Sequence, residues 1–423
     1  MSTTTKCIRA VCAAGLLGGV CAWAQTPLPG WQNPDIGLTI DMVADAHNAP
    51  GVWQSPGLTL RGAELVASAN IDPFASLTGN VVFSQQGAEL HEAFALFPSL
   101  PFNVSLKGGL MLASFGRWNR FHTHAMPFTS EPRIYHEYAN GMLALRGIEL
   151  SWLAPLSHYF ELTLCTYDLI DGHSHDRDPP DNAPNLTPGQ VAARIGAVAH
   201  GGHYDYEGRH LYDIGELYAL AGLPPPNDPR IWRGERRPAE FAFGTRGMTS
   251  FEPSPALSLD MGASLLYQQK WKYSLRTPSG FPPYYDKLLL GADLVLFWHP
   301  PARSKYRNLQ TGIELMASRE SFERLVPSAQ VVDAFRTGVL VHLDYRHTPR
   351  WSGGGFASVF QANTLDAHRR LHAGCHATFT ITHYQYLRIE YSRFNYPDVL
   401  EGVDRIMLQY DATIGHHTHG RQR

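Results

Sequence analysis

Regular alternation of apolar and polar residues runs through most of this 423-residue sequence and constrains its fold more than any other feature. In the stretch 257–268, for example, Leu257, Leu259 and Met261 alternate with polar or small residues. A period of two is typical of β-strands that have one apolar face and one polar face. The pattern predicts an all-β fold with sixteen strands, at residues 35–43, 58–70, 77–84, 89–97, 102–112, 143–153, 157–167, 239–248, 256–268, 286–298, 307–317, 337–346, 352–360, 371–382, 385–394 and 403–414.

The connections between the predicted strands alternate in length, which indicates how the strands are arranged. Short connections fall at one end of the strands, at 71–76, 98–101, 154–156, 249–255, 299–306, 347–351 and 383–384. At the other end all but 85–88 are long, at 44–57, 113–142, 168–238, 269–285, 318–336, 361–370 and 395–402. This asymmetry is typical of outer-membrane barrels, whose tilted strands need about ten residues to cross the bilayer. We therefore expect a closed antiparallel transmembrane β-barrel of about sixteen strands, with both termini in the periplasm.

Three further segments have features of their own. Residues 1–24 have the basic end, short apolar run and Ala-Trp-Ala site of a secretory signal peptide, which leaves 25–415 to form the barrel. The long extracellular insert 168–238 contains two capping boxes before apolar segments, and these predict two short helices. Residues 416–423 are expected to form a histidine-rich periplasmic tail.

The stretch 102–153 contains the most specific motifs, which are Leu106-Lys107-Gly108-Gly109, Ala113-Ser114-Phe115-Gly116-Arg117-Trp118-Asn119-Arg120, His122-Thr123-His124 and Gly147-Ile148-Glu149-Leu150-Ser151-Trp152-Leu153. In these motifs the sequence resembles a family of Gram-negative outer-membrane β-barrels that are porin-like and are often labelled zinc-regulated TonB-dependent outer membrane receptor. The resemblance extends over essentially the whole chain after the signal, and it implies an outer-membrane barrel with a link to metal uptake. TonB-dependent transporters have twenty-two strands around a plug, whereas only about ten residues separate the signal from the first predicted strand. We therefore expect a porin-sized barrel without a plug domain.

The connection 113–142 is rich in arginine, histidine and aromatic residues and is the first candidate for a functional site. If it folds into the barrel, its cations would narrow the pore and select permeant solutes, as rings of charge do in channels. The alternative is a surface loop packed on the rim, with its arginines paired to Glu131 and Glu137. The candidate constriction and selectivity residues are Arg117, Arg120, His122, His124 and Arg133.

The insert 168–238 contains the densest set of potential metal ligands. Imidazole and carboxylate groups together suit Zn²⁺ and similar divalent ions, so zinc is the one cofactor that the sequence suggests. The alternative is an exposed acidic loop, which the neighbouring prolines favour. The candidate ligands are Asp171, His173, His175, Asp176 and Asp178.

The polar face of the predicted strands carries charges of both signs, including Glu149, Glu314 and Glu390. A charge facing lipid costs about 2–4 kcal/mol near the bilayer midplane, so these residues are expected to line a water-filled lumen. The same alternation places Cys165 on the lumen face and Cys375 on the lipid face. Because a disulfide needs converging side chains, both thiols are expected to be free.

These patterns predict a porin-like channel for small solutes or ions, and the resemblance implies a link to zinc or other divalent metal uptake. Two alternatives stay open: a non-conducting barrel that binds metal, and an outer-membrane hydrolase. We find no G-x-S-x-G motif and expect no enzymatic activity. The formal net charge of −3 gives no indication of a nucleic-acid partner. The expected partners are outer-membrane lipid, the barrel-assembly machinery and the permeant solute or metal ion. The sequence leaves open whether copies of the chain form a homo-oligomer.

Overall fold

The computed structural model describes residues 34–48, 53–84, 87–170, 238–273, 284–302, 306–324, 330–361, 369–396 and 400–415. The strands in these ranges are β1 (Asp35–Asn48), β2 (Trp53–Asp72), β3 (Ala75–Ser84), β4 (Gly87–Leu100), β5 (Val104–Leu112), β6 (Ala144–Leu153), β7 (Tyr159–Tyr167), β8 (Ala242–Ser254), β9 (Leu257–Tyr273), β10 (Tyr284–Trp298), β11 (Asn308–Arg324), β12 (Gln330–Arg346), β13 (Trp351–Gln361), β14 (Arg369–Thr382), β15 (Gln385–Tyr396) and β16 (Leu400–Gly415). A short α-helix, α1 (Arg133–Ala139), lies between β5 and β6. Single 3-10 turns occur at Pro101–Asn103, Trp118–Arg120, Thr123–Ala125 and Pro238–Glu240.

The sheet closes on itself. Each strand pairs with its neighbours in sequence, and β1 also pairs with β16, from Gly37 opposite Gly415 to Asn48 opposite Asp404. Neighbouring strands run antiparallel throughout the described barrel. Closure leaves no strand edge that could pair with another chain. The predicted closed antiparallel barrel of about sixteen strands is confirmed.

The predicted strand ends agree with the structure best at the short turns. The turn between β2 and β3 is closed by the Asp72 carboxylate, which accepts hydrogen bonds from the backbone N–H groups of Phe74 (2.8 Å) and Ala75 (2.9 Å). At the opposite end the strands run further than the alternation predicts. For example, β12 begins at Gln330 rather than at residue 337. Mixed polar and apolar residues in these extensions obscure the period of two.

The outward face of the barrel is apolar and exposed, as contact with lipid requires. Cys375 lies exposed on this face, whereas Cys165 faces inward and is buried, and both thiols are free as predicted. Among the residues described, no helix is long and apolar enough to cross a membrane. The large exposed side chains of the outer face include Leu150, Leu164, Leu315, Phe335, Val341, Leu343, Ile389 and Leu408.

The inward face is polar, but much of it is covered by protein. Glu149, Glu314 and Glu390 are only 4%, 2% and 0% exposed. The prediction that they line a water-filled lumen is wrong, because the connection 113–142 folds into the barrel and binds all three carboxylates. The alternative in which this connection packs on the rim is wrong for the same reason.

Candidate functional site

The connection 113–142, here called the lumen loop, is closed at its base by one side chain. The amide of Asn119 donates hydrogen bonds to the backbone carbonyls of Ala113 (2.8 Å) and Leu143 (3.1 Å), and its oxygen accepts one from the N–H of Leu143 (2.6 Å). The N–H of Ala113 also donates to the carbonyl of Leu143 (2.8 Å). The loop therefore leaves and rejoins the wall at one point and enters the lumen as a compact unit.

Gly116 directs the chain toward the far wall. Its φ of +61° is a left-handed conformation that glycine adopts without strain, and a Cβ there would collide with the Tyr135 hydroxyl and the Glu314 carboxylate. The next N–H, that of Arg117, donates to Glu314 Oε1 (2.8 Å), and the Tyr135 hydroxyl donates to the same oxygen (2.5 Å). Glu314 on β11 thus anchors both limbs of the loop.

Two more wall glutamates hold the backbone of the loop. Glu149 on β6 accepts a hydrogen bond from the N–H of Ser114 (2.8 Å). Glu390 on β15 accepts three, from the N–H of Thr129 (2.5 Å) and from the N–H (3.2 Å) and hydroxyl (2.5 Å) of Ser130. Hydrogen bonds to ionised carboxylates are roughly twice as strong as neutral ones. These carboxylates therefore fix the position of the loop.

On the β9–β13 side the lumen loop packs through apolar side chains. Trp118, Phe128, Ile134 and Tyr138 are each at most 1% exposed. Fully burying a large apolar side chain contributes about 1.5–3 kcal/mol. This side of the lumen thus contains a hydrophobic core of the kind found in soluble domains. The wall residues in the same buried cluster include Leu266, Leu289, Met316, Leu340, Phe356 and Phe360.

Helix α1 places part of this apolar surface. It begins after Pro132 and ends at Asn140, whose φ of 60° is left-handed. The Tyr138 hydroxyl donates to the backbone carbonyl of Gln361 on β13 (2.9 Å) and so fixes the helix to the wall. The sequence reading did not predict this helix, because seven residues are two turns and show too little of the helical period.

On the opposite side, toward β2, β4 and β16, the contacts of the loop are ionic. His124 Nε2 lies 2.8 Å from Glu64 Oε2 on β2, and its Nδ1 lies 3.6 Å from Asp411 Oδ2 on β16. His122 lies 3.7 Å from the same Glu64 oxygen and 3.4 Å from Glu92 Oε2 on β4. Burial alone would lower the pKa of His124, but the facing carboxylates, Glu64 first, raise it to about 9. His124 is therefore protonated at neutral pH and pairs with the acidic wall.

A small cavity of about 30 Å³ lies between the lumen loop and this wall. That volume has room for one or two water molecules. Across the cavity Asp41 of β1 pairs with Arg61 of β2 (2.6 Å). The ionic side of the loop is thus incompletely filled. Among the residues around the cavity are Thr39, Asp41, Arg61, Glu64, His122 and His124.

The three predicted arginines lie in different places. Arg117 is buried against aromatic rings, with Nη1 3.6 Å from Asp260. Arg133 is buried with its guanidinium over the ring of Phe394. Arg120 is exposed at the surface of the loop. The structure therefore brings the two predicted histidines together at one wall and does not assemble the five candidates into one ring.

The wall partners of the lumen loop are not evident from the sequence. Glu64 and Glu92 both point inward, and they lie beside bulges of β2 and β4 where the pairing register shifts and the simple alternation is interrupted. The alternation gives the face of a side chain but not its partner across the lumen. The sequence points to this pairing through the histidines of the loop and the glutamates of β2 and β4, without showing that they meet.

The predicted zinc ligands Asp171, His173, His175, Asp176 and Asp178 lie outside the described residues, as do the two predicted helices of the insert and the histidine-rich tail. Within the described ranges, no group of three or more histidine, cysteine, aspartate or glutamate side chains is arranged to hold a metal ion. Zinc binding therefore stays a prediction.

A closed barrel of sixteen antiparallel strands, apolar outside and with a long connection folded inward, has the architecture of the porin class. Solved structures with this fold include the outer membrane channel DcaP of Acinetobacter baumannii, with 10% sequence identity, a TM-score of 0.51, and coverage of 92% of this chain and 99% of that chain. An anion-selective porin from Comamonas acidovorans has 8% identity, a TM-score of 0.51 and coverage of 90% and 100%. OmpF of Salmonella typhi in complex with daunomycin has 11% identity, a TM-score of 0.50 and coverage of 91% and 98%. At these identities the likeness shows the fold alone.

The sequence is also similar to an uncharacterized protein of Aquifex aeolicus, with 31% identity over 264 residues, covering 55% of this chain and 55% of the relative. The matched part thus spans about half the length of that curated relative. No protein-family model matches the sequence.

Proposed function

We propose that this chain is a porin-like channel of a Gram-negative outer membrane and passes small solutes or ions. The observation that carries the proposal is the combination of a closed sixteen-stranded barrel, an apolar outer face and a charged inner face. Inner-wall charges that the lumen loop leaves partly exposed, such as Lys107 and Asp260, would be costly in a barrel without a hydrated interior. The proposed partners are outer-membrane lipid, the permeant solute and the assembly machinery that inserts barrels, and copies of the chain would form oligomers. The proposed function is transport and does not include catalysis.

In this proposal the lumen loop controls permeation. It contacts the wall on opposite sides, through Glu64 of β2, Glu314 of β11 and Glu390 of β15. A connection held on several sides narrows the lumen more than one that lies along a single wall. The proposed constriction residues are the ones that the sequence indicates, Arg117, Arg120, His122, His124 and Arg133.

Removing the loop tests the proposal directly. Because Leu112 of β5 lies opposite Ala144 of β6, residues 113–143 can be replaced by a four-residue glycine-serine turn without disturbing the strand pairing. In planar bilayers we expect brief openings from the full chain and large, steady conductance from the shortened one. Heat-modifiable migration in electrophoresis would verify that both barrels are folded. Silence of two correctly folded barrels would contradict a channel function.

A second candidate, a non-conducting barrel that binds metal, is favoured by the apolar core between the lumen loop and β9–β13. It would account for the ligand set at 171–178 and for the metal link that the resemblance implies. Zinc titration of the detergent-solubilised barrel tests it. Replacing His173 and His175 by alanine should weaken zinc binding, whereas replacing His158 and His347, which lie exposed at short turns, should not. Equal zinc affinity in both double variants would remove this candidate.

A further inference from the structure

We propose that the conducting path runs between the lumen loop and the wall formed by β1–β4 and β16, and that it accepts small cations. His122 and His124, here called the histidine latch, close this path by binding the wall. The inference rests on the channel function proposed above and assigns it a route, a charge preference and a gate.

The two sides of the lumen loop differ in how they would respond to movement. Toward β9–β13 the contact consists mainly of large apolar side chains, such as Trp118 and Ile134, which are almost fully buried, and Glu314 adds hydrogen bonds to the loop there. Moving the loop away from this wall would expose these apolar side chains to water, which is unfavourable. Toward β2, β4 and β16 the contact consists of ionic pairs and polar hydrogen bonds, whose groups water can solvate after separation. The loop should therefore stay on the apolar side and part from the ionic side.

The cavity lies on the side that this reasoning selects. Its polar lining includes Asp41, Arg61, Glu64 and both histidines of the latch. Water already has room there, whereas the described core residues on the β9–β13 side are buried in one apolar cluster. A hollow, polar contact is the natural starting point for a hydrated path.

The charges of the wall give the path its preference. The carboxylates on the inner face of this wall include Asp41, Asp45, Glu64, Glu92 and Asp411. Its arginines include Arg61, paired to Asp41, and Arg405, paired to Asp45. While the latch is closed, the imidazoles occupy the space in front of these carboxylates. When the latch parts, an excess of carboxylates lines the path, and rings of carboxylates favour cations.

Several titratable groups surround the latch, and each would influence it. His122 also stacks on His91, with ring centroids 5.7 Å apart, and the Tyr386 hydroxyl donates to the backbone carbonyl of His124 (2.7 Å). The groups that face the two imidazoles are Asp41 of β1, Arg61 and Glu64 of β2, His91 and Glu92 of β4, Tyr386 of β15 and Asp411 of β16.

The test compares the two sides of the loop in single-channel recordings. His122→Ala with His124→Ala should raise the open probability roughly tenfold, since the contacts of both histidines with the wall carboxylates of the closed state are lost. The milder variant His124→Gln should raise it less and serves if the double variant folds poorly. Leu340→Val removes one methylene from the apolar side, in a wall side chain of β12 that is 1% exposed, and should leave the open probability close to that of the unaltered chain, because most of the apolar packing remains.

The charge preference is measured in the same recordings. With the latch removed, reversal potentials in a KCl gradient should show preference for K⁺ over Cl⁻. Adding Glu64→Gln and Asp411→Asn should reduce that preference severalfold. Opening by Leu340→Val but not by the latch variants would overturn the route, and preference for Cl⁻ would overturn the charge assignment.

The barrel without residues 113–143 separates this inference from the function on which it rests. If that barrel is folded and silent, the channel function fails. If it conducts while the latch variants behave like the unaltered chain, the channel function survives and the latch is wrong.

Discussion

Glu390→Gln is the change that should reveal most about how the lumen loop is held. Glu390 is fully buried, and its two oxygens accept from the N–H of Thr129 and from the N–H and hydroxyl of Ser130. In the variant the amide oxygen can still accept from Ser130, but the amide N–H₂ would face the N–H of Thr129. One buried donor is then left unsatisfied, which costs about 1–3 kcal/mol, and the remaining bonds lose the contribution of the charge. Together we expect about 3 kcal/mol of weaker anchoring.

Hydrogen exchange measures this loss at the site itself. A change of about 1.4 kcal/mol alters an opening equilibrium tenfold, so 3 kcal/mol should make the amides of Thr129 and Ser130 exchange roughly 100-fold faster. The matched control is Glu161→Gln, because Glu161 accepts only a peripheral hydrogen bond from Tyr159 (2.9 Å) near a short turn. Unchanged exchange of the 129–130 amides in Glu390→Gln would refute the view that wall carboxylates anchor the loop.

Three further outcomes are expected. Trp118→Ala should cost about 3–5 kcal/mol of loop packing, seen as faster exchange of the α1 amides, whereas Trp351→Ala on the outer face should not affect them. The paired carboxylates raise the pKa of His124 to about 9 from about 6.5, so its contribution to the closed latch is complete below pH 6.5 and is lost as the pH rises through 9. Open probability should therefore rise over that range in the unaltered chain but not in His124→Gln. Finally, a lipid-soluble maleimide should label Cys375 in the folded barrel and Cys165 only after unfolding, and early labelling of Cys165 would show that its packing is loose.

The strands were predictable because each one shows the alternation of apolar and polar residues within its own sequence. In β9, Leu257, Leu259 and Met261 alternate with small or polar residues, and the alternation is visible without knowing any other strand. The same reasoning placed Cys165 and Cys375 on opposite faces. The barrel was also predictable, because short connections lie at one end of the strands and long connections at the other.

The interior was not predictable by the same means. Glu149, Glu314 and Glu390 would occupy the same alternating positions whether they faced water or a backbone N–H. Only the pairing across the lumen distinguishes these cases, and that pairing joins residues as far apart in the chain as Ser130 and Glu390. The candidate histidines could be found because the segment that contains them is unusually rich in histidine, arginine and aromatic residues. Their partners on the wall have no such local signature.

The large sequence separation between the lumen loop and its anchors also affects how the barrel assembles. Thr129 is bonded to Glu390 and to Gln409, 261 and 280 residues further along the chain. Contacts of such long range form late, because the entropy of closing the intervening chain must be overcome first. The strands β15 and β16 also complete the closure of the sheet. The last step of barrel closure is thus the step that delivers the final anchors of the loop, so an unclosed barrel would hold its interior loop without the contacts of β15 and β16.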